Sequence, residues 1–262
     1  MNLNALIRPV ARIGFAALGL VYVVIGALAL GAASGQAGGR TTDARGAVDE
    51  VGRLWEGGIL LIVLALGLAS YAVWRFAQAI LDLDDVGGGF KGWATRAGFF
   101  TSGLVHFGLA MTAAGIGATS GSGSKRVWVA RALAKPGGLW AVGLVGVIVM
   151  GAGLLQFYTA WTVEFEKQLE VNKMPASVQT WARRIGRFGL AARGVTFLIV
   201  GWFLVRAAIN VTAGEVKDMG GALQVVGAQA YGAWLLAIVA CGTISYGLLS
   251  FVAARYRRIT SG

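Results

Sequence analysis

The sequence predicts an all-α polytopic membrane protein: six transmembrane helices in three parallel tandem hairpins, pseudo-threefold about the membrane normal. Three observations lead there. Of 262 residues, 56% are hydrophobic and 13% charged, whereas a soluble domain carries about 25% charged residues to coat its surface. Apolar runs exceed the roughly eighteen residues that mark a membrane helix. The stretch Arg12 to Ala33 returns twice. Arg12-Ile13-Gly14, Arg96-Ala97-Gly98 and Arg187-Phe188-Gly189 each open an apolar run, and small residues follow each Arg at steps of seven: Gly19, Gly26, Ala33; Gly103, Ala110, Gly117; Gly194, Gly201, Ala208. Seven residues are nearly two helical turns, so each set forms a stripe on one helix face. Small residues let helix backbones approach closely, and such approach drives association in lipid, where hydrophobic force between helices is weak.

The repeats divide the chain into unit 1 (1–90), unit 2 (91–163), a cytoplasmic surface linker (164–184) and unit 3 (185–262). Each unit has two spans, so all three enter the membrane from the same side, and only an axis along the normal relates them.

In order along the chain, Arg8 and Arg12 precede the first span, about 13–33. The basic start and Ala32-Ala33-Ser34 resemble a signal peptide, but the run is longer than a signal core and its pattern recurs downstream. At 1.5 Å per residue it spans about 31 Å, enough for the hydrocarbon core. Asp43 is a candidate N-cap for a short helix at about 44–55. Span 2, about 57–79, ends in Tyr71, Trp74 and Arg75, an interfacial pattern. Asp82, Asp84, Asp85 and Gly87-Gly88-Gly89 then make a turn. Span 3 is about 97–118, and Pro136-Gly137-Gly138 leads into span 4, about 138–161. In and just before 164–184, Val163, Phe165, Leu169, Val178 and Trp181 sit among charges, as in a surface helix that Pro175 breaks. Spans 5 and 6 are about 188–209 and 231–254, and Arg255, Arg257 and Arg258 stop the last.

The repeat extends past the stripes. A shift of 175 residues puts Asp43 on Asp218, Gly46-Ala47 on Gly221-Ala222, Gly67 on Gly242 and Tyr71 on Tyr246. In unit 2, the first helix matches at 84 residues. Its second helix has two registers, Gly67 on Gly151 or Gly57-Gly58 on Gly137-Gly138, which differ by four residues.

Net charge is +11, and because the basic residues flank apolar helices it points to anionic headgroups rather than nucleic acid. One cysteine, Cys241, and one histidine, His106, exclude an intramolecular disulfide, a multi-Cys metal site and a His-pair haem. No catalytic constellation, zinc set or phosphate loop is present, so neither an enzyme nor a cofactor is expected.

Several segments are similar to a bacterial membrane family, domain of unknown function 1206: Arg187-Phe-Gly-Leu-Ala-Ala-Arg193-Gly194 with Gly201 and Ala207-Ala208, Asp-x-x-Gly-Ala at 43–47 and 218–222, and Gly67-Leu-Ala-Ser-Tyr71-Ala-Val-Trp74-Arg75. The resemblance covers nearly the whole chain and implies three tandem two-helix units. It implies no activity. Unit 2 departs from it by lacking Asp-x-x-Gly-Ala.

Polar residues inside spans are the candidate pathway or ligand contacts. Ten residues after each opening Arg stand Tyr22, His106 and Phe197. His106 suits a proton relay or a ligand, or donates to a neighbouring carbonyl and packs. Arg75 pairs with an anion or snorkels to the interface. Arg193 replaces Leu18 and Ser102 of the other units and is a candidate to face the axis. Gln156 and Tyr246 suit interhelical bonds, Arg206 suits an interface, Asp43 and Asp218 suit caps, and Cys241 suits packing. Gly19, Gly26, Gly103, Gly117, Gly194 and Gly201 are the candidate packing seams. Two functions fit: a small-solute, ion or lipid pathway along the repeat axis, or a non-transporting scaffold that docks on another membrane complex or organises lipid. Anionic lipid headgroups, a membrane protein partner or a second copy are the expected partners. The scarcity of acids within spans counts against ion coupling.

Lys and Arg number 14 on the side of the termini and 9 on the other, so the cytoplasmic (inner) membrane with both termini inside is expected. Green fluorescent protein fused after Gly262 is then fluorescent and alkaline phosphatase at the same point is inactive; the reverse pattern overturns the orientation.

Overall fold

The computed structural model describes residues 3–36, 39–54, 56–116, 129–212 and 217–258. Long helices dominate: α1 Leu3–Ala33, α3 Gly57–Leu81, α4 Phe90–Ala113, α5 Gly138–Thr162, α6 Ala176–Ile209 and α8 Gly232–Tyr256, with short α2 Ala44–Gly52 and α7 Met219–Gly227 before α3 and α8. Helical residues 129–133 stand in the same place before α5. Among the described residues, five helices are long and apolar enough to cross a membrane: α1 from Ile7, α3, α5, α6 and α8. The sixth, α4, is long enough, but Arg96 and His106 lower its hydropathy.

The D-x-x-G-A segments explain α2 and α7. Asp43 Oδ1 accepts from Gly46 N at 3.1 Å, and Asp218 Oδ1 accepts from Gly221 N at 2.9 Å. Each satisfies an orphan amide of a first turn. The following span opens on a glycine in each unit. A Cβ at Gly57, Gly138 or Gly232 would lie 2.1, 1.7 or 1.9 Å from the carbonyl oxygen of Gly52, Ala132 or Gly227. This equates Gly57 with Gly138, an offset of 81 residues between units 1 and 2. The structural pairing lies one residue from the register set by the Gly57-Gly58 pair and three from the one set by Gly67 and Gly151.

The long helices pack in a regular order. The second of each unit lies on the first of the next: α3 on α4, α5 on α6, and α8 back on α1. The stripes form two of these seams. A Cβ at Gly19 would be 2.8 Å from Gly247 O and at Gly26 2.8 Å from Ala240 O; at Gly194, 3.0 Å from Gly153 O; and at Gly201, 2.6 Å from Gly146 O. In α3–α4, Gly103 instead receives the Phe76 ring, 2.6 Å from where its Cβ would stand. Gly117 lies outside the described residues. Within units, α1 packs on α3 and α6 on α8, but among the described residues α4 and α5 make no comparable contact. Gly14 and Gly189 meet the Tyr71 and Tyr246 backbones, whereas Gly98 and Gly151 of unit 2 have nothing within 4 Å. Accordingly 22% of the α5 span is buried, against 50% of α8.

Three expected boundaries change. α1 begins at Leu3 and runs through Pro9. α4 begins at Phe90 rather than about 97, where Arg96 caps the preceding helix by donating to Ala79 O at 2.7 Å and Ile80 O at 2.9 Å. The 164–184 segment is no broken surface helix. It forms 3-10 turns Glu164–Gln168 and Val171–Lys173 and then the first turns of α6, which starts after Pro175. Phe165, Leu169 and Met174 are buried in the protein core and cover protein, whereas Trp181 is exposed. Leu169 pairs antiparallel with Arg257, and Glu170 N donates to Tyr256 O at 2.7 Å.

At Gly26 and Gly201 a side chain would collide with a backbone carbonyl. Gly26→Leu and Gly201→Leu are therefore expected to lower stability by about 1–3 kcal/mol or more, read as a fall in the unfolding midpoint of the detergent-solubilised protein. Gly98→Leu and Gly151→Leu, which meet nothing, are expected to leave it unchanged.

Candidate functional site

The close approaches at Gly14 and Gly189 place two equivalent tyrosines inside the bundle: Tyr71 is 1% exposed and Tyr246 9%. Around them a cationic and aromatic cluster forms. Arg193 on α6 donates to the Tyr246 hydroxyl. Its guanidinium lies 4.6 Å from the Tyr246 ring centre, 4.9 Å from Phe197 and 5.7 Å from Tyr22. The Tyr22 and Tyr246 rings meet edge to face at 4.7 Å. Ring faces carry negative charge density, so three of them offset part of the cost of taking a guanidinium out of water.

Arg75 stands one turn after Tyr71. Its Nε donates to the Tyr71 hydroxyl at 2.8 Å and Nη1 to Gln78 Oε1 at 3.1 Å. It points inward, and the snorkelling alternative does not hold, because Tyr71, Arg75 and Gln78 share a face at helical spacing. Gln78 Nε2 donates to Asp84 Oδ2 at 2.6 Å, and Arg257 Nη2 donates to the same carboxylate at 3.1 Å. A polar chain thus runs from the Arg257 end of the bundle to Tyr71. His106 joins through its ring, 4.6 Å from that of Tyr71. Its Nδ1 lies 2.7 Å from Ser102 O; a carbonyl only accepts, so Nδ1 carries the proton.

The cluster holds three guanidiniums and one carboxylate. Among the described residues no carboxylate lies within ion-pair distance of Arg75 or Arg193, and Asp84 serves Arg257. Burial holds Arg257, just past the last helix, below the ordinary arginine value, while Asp84 acts the other way. Three buried donors have no acceptor: Trp74 Nε1, Arg193 Nε and Arg257 Nε. Such groups ordinarily find partners, so the site is short of acceptors as well as of negative charge.

The sequence candidates Arg193, Arg75, Tyr22, Tyr246 and His106 come together here. Gln156, on α5, makes no hydrogen bond to the group. Cys241 is exposed. Sequence reasoning missed Asp84, assigned to an exposed turn, Arg257, assigned to a stop signal, and Gln78. The step from Tyr71 and Arg75 to Gln78 was a readable signal; the contact of Asp84 with Arg257, 173 residues on, was not.

An all-helical chain with five helices able to cross a bilayer and a cationic, aromatic interior is a multi-pass membrane protein. The chain belongs to the family described as Domain of Unknown Function (DUF1206), which matches residues 13–82, 97–163 and 188–257. Its three matches coincide with the three units. It is 31% identical over 256 residues to "Uncharacterized protein YxxB" of Bacillus subtilis (strain 168), covering 97% of this chain and 92% of that one. No solved structure matches.

Asp84→Ala leaves the Arg257 guanidinium without its counter-charge. The expected loss is about 3 kcal/mol, at the low end because the Asp84 side chain is 18% exposed. Exposed Asp49→Ala is expected to change stability by less than about 0.5 kcal/mol. Thermal unfolding in detergent measures both.

Proposed function

We propose that the chain forms a six-span bundle in the bacterial cytoplasmic membrane, with both termini inside and α4 as the sixth span. Its three hairpins surround a pseudo-threefold axis that is a pathway for a small anionic solute or an anionic lipid headgroup. The recurring seam of α3 on α4, α5 on α6 and α8 on α1 is what a three-unit ring produces. Splayed α4 and α5 leave it open to lipid on one side. Neighbours shield the polar face of α4, which explains how a helix carrying Arg96 and His106 is tolerated.

The observation that carries the anionic preference is Arg193: a guanidinium deep in a span, held by aromatic faces and a tyrosine hydroxyl, with one N–H lacking an acceptor. Ionisable groups at such depth are costly and mark substrate paths or ligand contacts. The chemistry offered is attraction and hydrogen-bond donation. Among the described residues no cluster of metal-ligating side chains is assembled, and we read the protein as non-enzymatic.

The packing of Tyr22, Phe197 and Tyr246 on Arg193 favours a second reading, in which the rings plug the axis and the protein is a scaffold.

Purified protein in liposomes, tested with chloride, inorganic phosphate and a fluorescent phosphatidylglycerol, distinguishes them. The pathway reading expects flux of one of these above protein-free liposomes and at least a tenfold loss in Arg193→Gln. Absence of flux for all three, together with a membrane protein that co-purifies in fixed ratio, overturns it in favour of the scaffold.

A further inference from the structure

Beyond Arg257, where the axial cluster ends, lies a recess of about 370 Å³. Three segments build it: Arg8 and Arg12 from α1, Glu170 and Lys173 from the linker, and Arg255 within and Arg257 just after the last turn of α8. Backbone bonds fix the linker against the end of α8, since Glu170 N donates to Tyr256 O at 2.7 Å and Arg258 N to Gln168 O at 2.8 Å, and α1 packs on α8. The recess is a feature of folded structure rather than a meeting of loose side chains.

Its charge is unbalanced. Five cations face one carboxylate, and Glu170 is taken by Lys173 at 3.0 Å. Among the described residues no carboxylate lies within ion-pair distance of Arg8, Arg12 or Arg255. Arg257 is a built part of the wall, its side chain only 7% exposed. Gln168 Oε1 takes its Nη1 at 2.6 Å and Asp84 its Nη2, and its Nε is buried without an acceptor. Like charges brought together by three segments repel one another unless an anion bridges them.

We propose that this recess binds a phosphate group. Guanidinium forks match phosphate oxygens in bidentate fashion, and a tetrahedral phosphate presents acceptors to several forks at once, which a carboxylate does not. The volume lies in the range of small-molecule sites, so the recess has room for a phosphate with or without a substituent. Arg12 opens one apolar run and Arg255 closes another, which sets the recess at headgroup depth. The source is a phospholipid headgroup or a soluble phosphate. The recess shares Arg257 with the axial cluster but its other cations lie outside it, so the proposal stands or falls without any flux.

The test uses the full chain, purified and stripped of lipid, with binding read by native mass spectrometry and by the unfolding midpoint. Probes are phosphatidylglycerol, phosphatidylcholine, and sodium phosphate against sodium chloride at equal ionic strength. Phosphatidylglycerol or inorganic phosphate is expected to raise the midpoint by several degrees. Arg12→Gln with Arg255→Gln, both exposed side chains, weakens that binding at least tenfold while the unliganded midpoint stays at the wild-type value. Lys91→Gln with Arg184→Gln removes the same charge elsewhere and leaves binding intact. A shift with phosphatidylglycerol alone assigns a headgroup, and a shift with inorganic phosphate assigns the soluble source. Undiminished binding in the recess variant, equal loss in the control pair, or a shift with neither phosphate probe overturns the proposal. If the double variant fails to fold, Arg8→Gln supplies the same reading.

Discussion

Close backbone contact between helices is the constraint on which the rest of the structure depends. In a bilayer, lipid tails satisfy apolar side chains as well as another helix does, so association needs surfaces that approach further than lipid can. Gly19 with Gly247, Gly194 with Gly153 and Gly201 with Gly146 each bring a backbone carbonyl to where the partner's Cβ would stand. Such Cα–H to oxygen contacts contribute about 0.5–1 kcal/mol each. Once these faces are committed to seams, the rest of each helix has a fixed heading. Gly14 and Gly189 then draw Tyr71 and Tyr246 inward, and these position Arg75 and Arg193.

Unit 2 shows what happens when the same pattern meets a different partner. Gly98 holds the place of Gly14 and Gly189, yet nothing lies within 4 Å of it. The span opposite begins at Gly138 in a register that brings no tyrosine to Gly98. Position 193 differs too: Leu18 and Ser102 are its counterparts. The three units share a skeleton and have parted in the residues that would make the interior symmetric.

Much of this was legible because it is local. The D-x-x-G-A caps, the seven-residue stripes and the interior candidates follow from spacing along one helix or from comparison between copies. What was not legible depends on contacts across the chain. Arg257 reads as a stop signal until Asp84, 173 residues earlier, is seen beside it. The linker reads as amphipathic, and only the fold shows that Phe165, Leu169 and Met174 cover protein instead of lipid. Arg96 reads as a boundary marker, while its donors close the free carbonyls of α3. The unit 2 register stayed open between two glycine alignments, and only the contact of Gly138 with the Ala132 carbonyl sets it.

The Asp84–Arg257 pair also bears on biogenesis. Contacts between residues so far apart form late, since the intervening loop must close first. During synthesis unit 1 is threaded into the membrane long before the ribosome has polymerised residue 257. Throughout that interval the Asp84 carboxylate lacks its guanidinium, and the seam between α1 and α8 stays unmade. Until α8 is made, the chain therefore carries an unneutralised acid and a bare glycine groove, and the docking of α8 removes both. The seam between α1 and α8 and the Asp84–Arg257 contact are thus made together, in one helix-packing event.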